Sequence, residues 1–170
     1  MSITMHSASV PIFVRMLGNL VKWLDKAEAH AAAKKFDTSV YLGLRLAPDM
    51  LPLSTQIQIA CDSAKLAVAR LSGVDAPKFD DSEKTLAELR QRVLATLDYI
   101  QSVPADKING TEDKDVTFPR RDGTMTLKGE FYLKHFAFSN FYFHVTTTYA
   151  LLRHNGVELG KMDYIGALQT

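Results

Sequence analysis

The sequence predicts an all-α fold, a four-helix bundle with a small hairpin in the crossover between its third and fourth helices. Two observations carry that expectation. Four long segments repeat apolar residues at spacings of three and four, which places them on one face of a helix. Capping and breaking residues bound those segments, and the helical period disappears between Asp106 and Lys128.

The first segment runs from about Ser7 to Lys35, with Val10, Phe13, Leu17, Val21 and Leu24 as its apolar stripe. Pro11 falls in the first turn, where a missing N–H costs little, and the alanine-rich second half favours helix strongly. Leu46-Ala47-Pro48-Asp49 forms a loop into the second segment, roughly Pro52 to Leu71. Its buried side is read as Leu53, Ile57, Ala60, Ala64, Ala67 and Leu71, and Gly73 supplies the stop. Asp80, Asp81 and Ser82 precede the third helix, and Glu83 in its first turn suits the positive end of the helix dipole. Leu86, Leu89, Val93, Leu97 and Ile100 mark its core face, and Pro104 ends it. Asp115 to Phe118 and Met125 to Leu127 flank an Asp122-Gly123 turn, the signature of a hairpin. Gly129 to Phe136 reads as a short helix. Ser139 is the expected N-cap of the fourth long helix, which ends at Asn155-Gly156.

Composition narrows the function classes. The 170 residues suffice for one well-cored domain, read as 1–170. Twenty basic against 19 acidic residues give no electrostatic case for nucleic acid or an anionic membrane as partner. No apolar run approaches a membrane span, no secretory signal is visible at the N-terminus, and the single Cys61 excludes an internal disulfide. A cytoplasmic location is the expectation.

Chemistry concentrates on the fourth helix. Asn140, His144, Thr147 and Leu151 share one stripe of an otherwise apolar segment, so two strongly polar side chains one turn apart face the interior. Such groups must be paired or bind something, because burying them bare costs stability. An imidazole there can ligate a metal, transfer protons, or simply hydrogen-bond a neighbour. The second helix offers a matching polar row of Gln58, Asp62 and Lys65. Asp62 facing His144 would be a metal ligand, an orienter of the imidazole, or half of a salt link. The alternative is a solvated helix pair of Asp62 with Lys65 or Gln58. His154 in the last turn suits the helix C-terminal dipole, His135 lacks a spaced partner, His6 and His30 read as exposed or peripheral, Cys61 as an inert buried thiol, and Arg120 and Arg121 as a solvated basic turn. No phosphate loop, nucleophile elbow or dense zinc cluster is present.

The run Asn140 to Thr147, then Leu152 to Val157 and Leu159-Gly160-Lys161, resembles the C-terminal signature of a bacterial and fungal domain-of-unknown-function family. Lys26-Ala27, Leu46 to Met50, Pro52-Leu53, Gln56, Gln58 and Ala69-Arg70-Leu71 resemble it too, so the likeness spans nearly the whole chain. That family is similar to the DinB/YfiT-like metalloenzyme superfamily. The resemblance implies an up-down-down-up four-helix bundle that often dimerises, so a homodimer is expected. It also implies a site built from one histidine of the second helix and a His-x-x-x-His pair on the fourth. His144 matches the second member of that pair, Asn140 stands in place of the first, and the second helix has no histidine.

The expected site therefore has His144 and Asp62 as its chemical groups and Asn140, Gln58, Lys65 and Thr147 as ligand contacts. Any zinc, nickel or manganese would be held weakly by His144, Asp62 and Asn140. The resulting expectation is a polar small-molecule pocket between the second and fourth helices with a degenerate metal site. The alternatives are a noncatalytic dimeric interaction or stress-related protein, and a divalent-metal-dependent transferase or hydrolase.

Overall fold

The computed structural model describes residues 2–167; the outermost ends of the expected 1–170 domain lie outside the described residues. Helix α1 (Val10–Lys34) begins with Pro11 in its first turn and ends where Lys35 adopts a left-handed conformation. A 3₁₀ turn at Thr38–Tyr41, capped by the Asp37 side chain, leads through a loop to α2 (Leu53–Ser72). Gly73, at φ 79°, closes α2 by donating its N–H to the carbonyl of Ala69. Helix α3 (Leu86–Ser102) is followed by a single turn, α4 (Ala105–Ile108).

The helical period is lost next because the chain forms a hairpin of β1 (Asp115–Arg120) and β2 (Gly123–Lys128). Asp115 pairs with Lys128 and Arg120 with Gly123, so the turn is Arg121-Asp122, one residue before the expected Asp122-Gly123, and Gly123 opens β2 instead. Val116 and Phe118 point inward, whereas Thr117 and Thr126 share a hydroxyl hydrogen bond on the exposed face. The chain then re-enters helix as α5 (Gly129–Phe131), a wide π-helical turn (Tyr132–Ala137) and α6 (Phe138–His154). A Cβ on Gly129 would lie 2.0 Å from the Thr111 carbonyl oxygen, so only glycine permits this crossing. A last short helix, α7 (Lys161–Ile165), straps onto α1. Trp23 there donates to the Asp163 carbonyl at 3.0 Å, and Lys26 reaches the Asp163 carboxylate at 2.8 Å.

The four long helices enclose one hydrophobic cluster, with α1 against α3 and α6, and α2 against α3 and α6. Phe13, Leu17, Leu20 and Leu24 of α1, Ile57 and Ala64 of α2, Leu89 and Val93 of α3, and Phe141 and Val145 of α6 are fully buried. Each such leucine or phenylalanine contributes about 1.5–3 kcal/mol by leaving water. Phe13 seats its ring edge-on against Phe141, with centroids 4.8 Å apart, and so ties α1 to α6.

Three sequence expectations need correction. The third helix begins at Leu86 behind its N-cap Thr85, not near Ser82, because Thr85 and Glu88 form a reciprocal capping box. Glu83 thus lies in the preceding loop, not in the first turn. Ser139 caps nothing: the π turn delivers the chain into α6 already helical, so no free N-terminus exists there to cap. Helix α7 carries too short a pattern to stand out in the sequence.

Candidate functional site

Helices α2 and α6 pack closely along their length, which brings their polar residues into direct contact. His144 Nδ1 lies 2.6 Å from Gln56 Oε1, and Asn140 Nδ2 lies 2.7 Å from Ser63 Oγ. Residue numbers rise along α2 as they fall along α6, so the two helices run antiparallel.

The hydrogen bonds around these pairs fix their polarity. Gln56 donates through Nε2 to the Leu51 carbonyl at 3.0 Å, so its Oε1 is the atom presented to the imidazole. That oxygen can only accept, so Nδ1 carries the proton and Nε2 keeps its lone pair. Nε2 has no hydrogen-bond partner among the described residues. Only 7% of His144 is exposed, and burial depresses its pKa from 6.5 to about 4. The ring is therefore neutral at pH 7. Ser63 donates to the Ile59 carbonyl at 2.7 Å, so its oxygen accepts from Asn140 and leaves Asn140 Oδ1 uncommitted among the described residues. Thr147 spends its hydroxyl on the Phe143 carbonyl within its own helix, at 2.7 Å.

Asp62, Gln58 and Lys65 turn to another partner. Asp62 Oδ1 is 2.8 Å from Lys65 Nζ and 3.0 Å from Arg92 Nη2, contacts ionic in distance but not aligned as hydrogen bonds. Arg92, 3% exposed on α3, also holds Asp81 at 2.5 Å and Glu83 at 3.0 Å through Nη1. Gln58 donates to the other oxygen of Glu83 at 2.8 Å. Burial opposes ionisation of Glu83, but its bonds from Arg92 and Gln58 outweigh this and hold its carboxyl below the usual range. Phe79 packs against both cations, its ring centre 4.2 Å from Lys65 Nζ and 4.7 Å from the Arg92 guanidinium carbon. This cluster staples the 79–83 loop onto α2 and α3.

The polar groups of α2 thus divide. Gln56 and Ser63 face α6, whereas Gln58, Asp62 and Lys65 engage the cluster around Arg92. The imidazole is oriented by Gln56, and Asp62 pairs with cations in place of the expected link to His144. Gln56, Ser63 and Arg92 were not among the expected site residues. The signal for the first two is their spacing of seven, which places them on one stripe with Ala60 and Ala67.

Asp62 and Asn140 do come together at a cavity of about 160 Å³ beneath the hairpin. Ser63, Arg70, Tyr132 and Phe136 also line it, with Phe118 and Pro119 of β1 as its lid. The π turn supplies this wall: its extra residue per turn sets Tyr132, Phe136, Ala137 and Asn140 on one surface. His144, Gln58, Lys65 and Thr147 do not line it. On the far side of Arg70, an open groove of about 760 Å³ runs between Lys65, the 73–80 loop and β1.

The donor set does not fit a tightly held transition metal. It offers one imidazole nitrogen, with neutral amides and a hydroxyl whose geometry is already set by protein hydrogen bonds. The nearby carboxylate of Asp62 is neutralised by two cations. Among the described residues, no three His, Cys, Asp or Glu side chains are placed to hold a metal ion together.

Fold and site together define a mainly helical protein with a polar seam between two long helices and a small hairpin over its mouth. The chain belongs to the family described as "Domain of unknown function (DUF1993)", whose model matches residues 5–165. It is similar to the crystal structure of a DinB family member protein from Shewanella denitrificans, at 47% sequence identity and a TM-score of 0.91. That match covers 97% of this chain and 93% of the other. No curated protein matches the chain. No described helix is long and apolar enough to cross a membrane.

Proposed function

We propose that this chain is a small-molecule-binding protein built on an up-down-down-up four-helix bundle, with its ligand site between the second and fourth long helices and a degenerate metal site. The observation that carries this reading is the cavity under the hairpin, where Asn140 Oδ1 is left without a partner among the described residues while its Nδ2 is pinned by Ser63. Apolar walls with a few fixed polar groups are what recognition of a small molecule requires. Side-chain amide NMR signals provide the test. A neutral aromatic amide such as benzamide should shift the Asn140 signals in the wild type and should not bind Asn140→Leu. Unmoved Asn140 signals at millimolar benzamide would sink the reading.

A second reading, catalysis at His144, draws on the lone pair held at Nε2. A neutral imidazole fixed in one tautomer by a buried amide is prepared to accept a proton or bind an electrophilic centre. Acylation separates this role from a purely structural one: Nε2 should react with diethylpyrocarbonate in the native protein. Protection until unfolding would assign His144 to packing alone.

A further inference from the structure

We infer that the cavity under the hairpin takes a small carboxylate with an apolar body, and that Arg70 is the group that reads its charge. This rests on the reading of that cavity as a ligand site and names what enters it.

The cations packed against the bundle are satisfied unequally. Arg92 has three carboxylates around it, and Arg90 has Asp25 at 2.7 Å and Glu28 at 2.9 Å. Lys65 has Asp62. Arg70 is half-buried, yet has no carboxylate partner among the described residues. Its guanidinium carbon instead lies 5.2 Å from the ring centre of Phe118 and 5.8 Å from that of Tyr132, and Nη1 donates to the Tyr132 hydroxyl at 3.0 Å. Two aromatic rings and one hydrogen bond hold the planar fork in place without neutralising it. That is the preorganised form in which arginine recognises carboxylates bidentately.

Tyr132 gives an independent observation. Its side chain is 1% exposed and lines the cavity. Because its oxygen accepts from Arg70, its proton must point elsewhere, and no acceptor receives it among the described residues. Burial, opposed by the Arg70 charge, raises its pKa, so the phenol keeps that proton at neutral pH. Arg70 and Tyr132 therefore present donors to the cavity without matching acceptors. Leu66, Phe118, Phe136 and Ala137 supply apolar walls, which favour an organic anion over a fully hydrated inorganic one.

Calorimetric titration of the whole protein at pH 7 with benzoate, benzamide and inorganic phosphate tests this assignment. Benzoate should bind at least tenfold more tightly than benzamide. Arg70→Met should erase that preference by weakening benzoate at least tenfold more than benzamide, and Arg70→Lys should restore only part of it. Equal affinity for benzoate and benzamide, or a preference surviving in Arg70→Met, overturns the role of Arg70 but leaves the cavity a ligand site. Tighter binding of phosphate than benzoate overturns the carboxylate assignment. If neither aromatic probe binds the wild type and the Asn140 signals do not move, the cavity is not a ligand site and both readings fall. Tyr132→Phe keeps both rings and checks the same point if the Arg70 variants fold poorly: it should weaken benzoate several-fold more than benzamide. No selective loss there would also count against the inference.

Discussion

His144 Nδ1 sits 2.6 Å from Gln56 Oε1, and this contact determines which nitrogen of the imidazole holds the proton. The Leu51 carbonyl fixes the amide, the amide fixes the ring, and α6 is joined to α2 by a bond with one allowed polarity. The chemistry available at His144 is set from outside its own helix.

Burial of this ring makes the protein sensitive to acid. The folded pKa of about 4 lies below the ordinary 6.5, so the unfolded chain binds more protons between those values. Stability from this group is complete above pH 6.5 and is lost as pH falls through the folded pKa, by about 3 kcal/mol in all. Denaturant melts from pH 7 to 4 should show this slope in the wild type and a shallower one in His144→Gln. An NMR titration placing the ring near 6.5 would contradict the assignment.

Removing the amide should be felt at the ring. Gln56→Leu leaves a buried N–H without its acceptor, at a cost of about 1–3 kcal/mol. A cycle of Gln56→Leu and His144→Ala should show coupling on the order of 0.5–3 kcal/mol in urea melts. Additive losses would mean that the bond does not link the two helices.

Asp62 provides the contrast. Its carboxylate engages Lys65 and Arg92, so Asp62→Asn should leave the titration point of His144 unchanged. A shift of the ring in this variant would revive the direct Asp62–His144 link expected from sequence spacing.

Arg92 is the exposed loop's anchor. Arg92→Met takes the guanidinium from Asp62, Asp81 and Glu83, leaving Lys65 for Asp62 and Gln58 for Glu83, and loss of one partner of a buried ionic cluster costs about 3–5 kcal/mol. Thermal melts should fall accordingly, and hydrogen exchange should accelerate first in residues 79–83. Unchanged exchange in that loop would show that the cluster does not hold it.

Metal affinity should be low. Titrating zinc, nickel or manganese into untagged protein at micromolar concentration should give no stoichiometric heat, and His144→Ala should behave like the wild type. A one-to-one complex abolished by His144→Ala would show that a single imidazole and its amide neighbours suffice to hold the ion.

Apolar spacing, Gly73 and Pro104 act locally, so the four long helical segments and the presence of a hairpin were legible in the sequence, although its turn falls one residue before Asp122-Gly123. It also identified His144 and Asn140 as polar residues on a buried stripe, since α6 is nearly apolar around them. Their partners were settled by how the helices pack. The rotation of α2 about its own axis gave Gln56 to His144 and Ser63 to Asn140, and turned Asp62 toward Arg92. Helical periodicity places residues on a common face but does not say which neighbour that face meets. Nor could it show Arg70 held against Phe118 and Tyr132, because that contact joins a helix, a strand and a π turn far apart in the chain. Charge pairing across such distances depends on packing, and packing is settled only when the whole core closes.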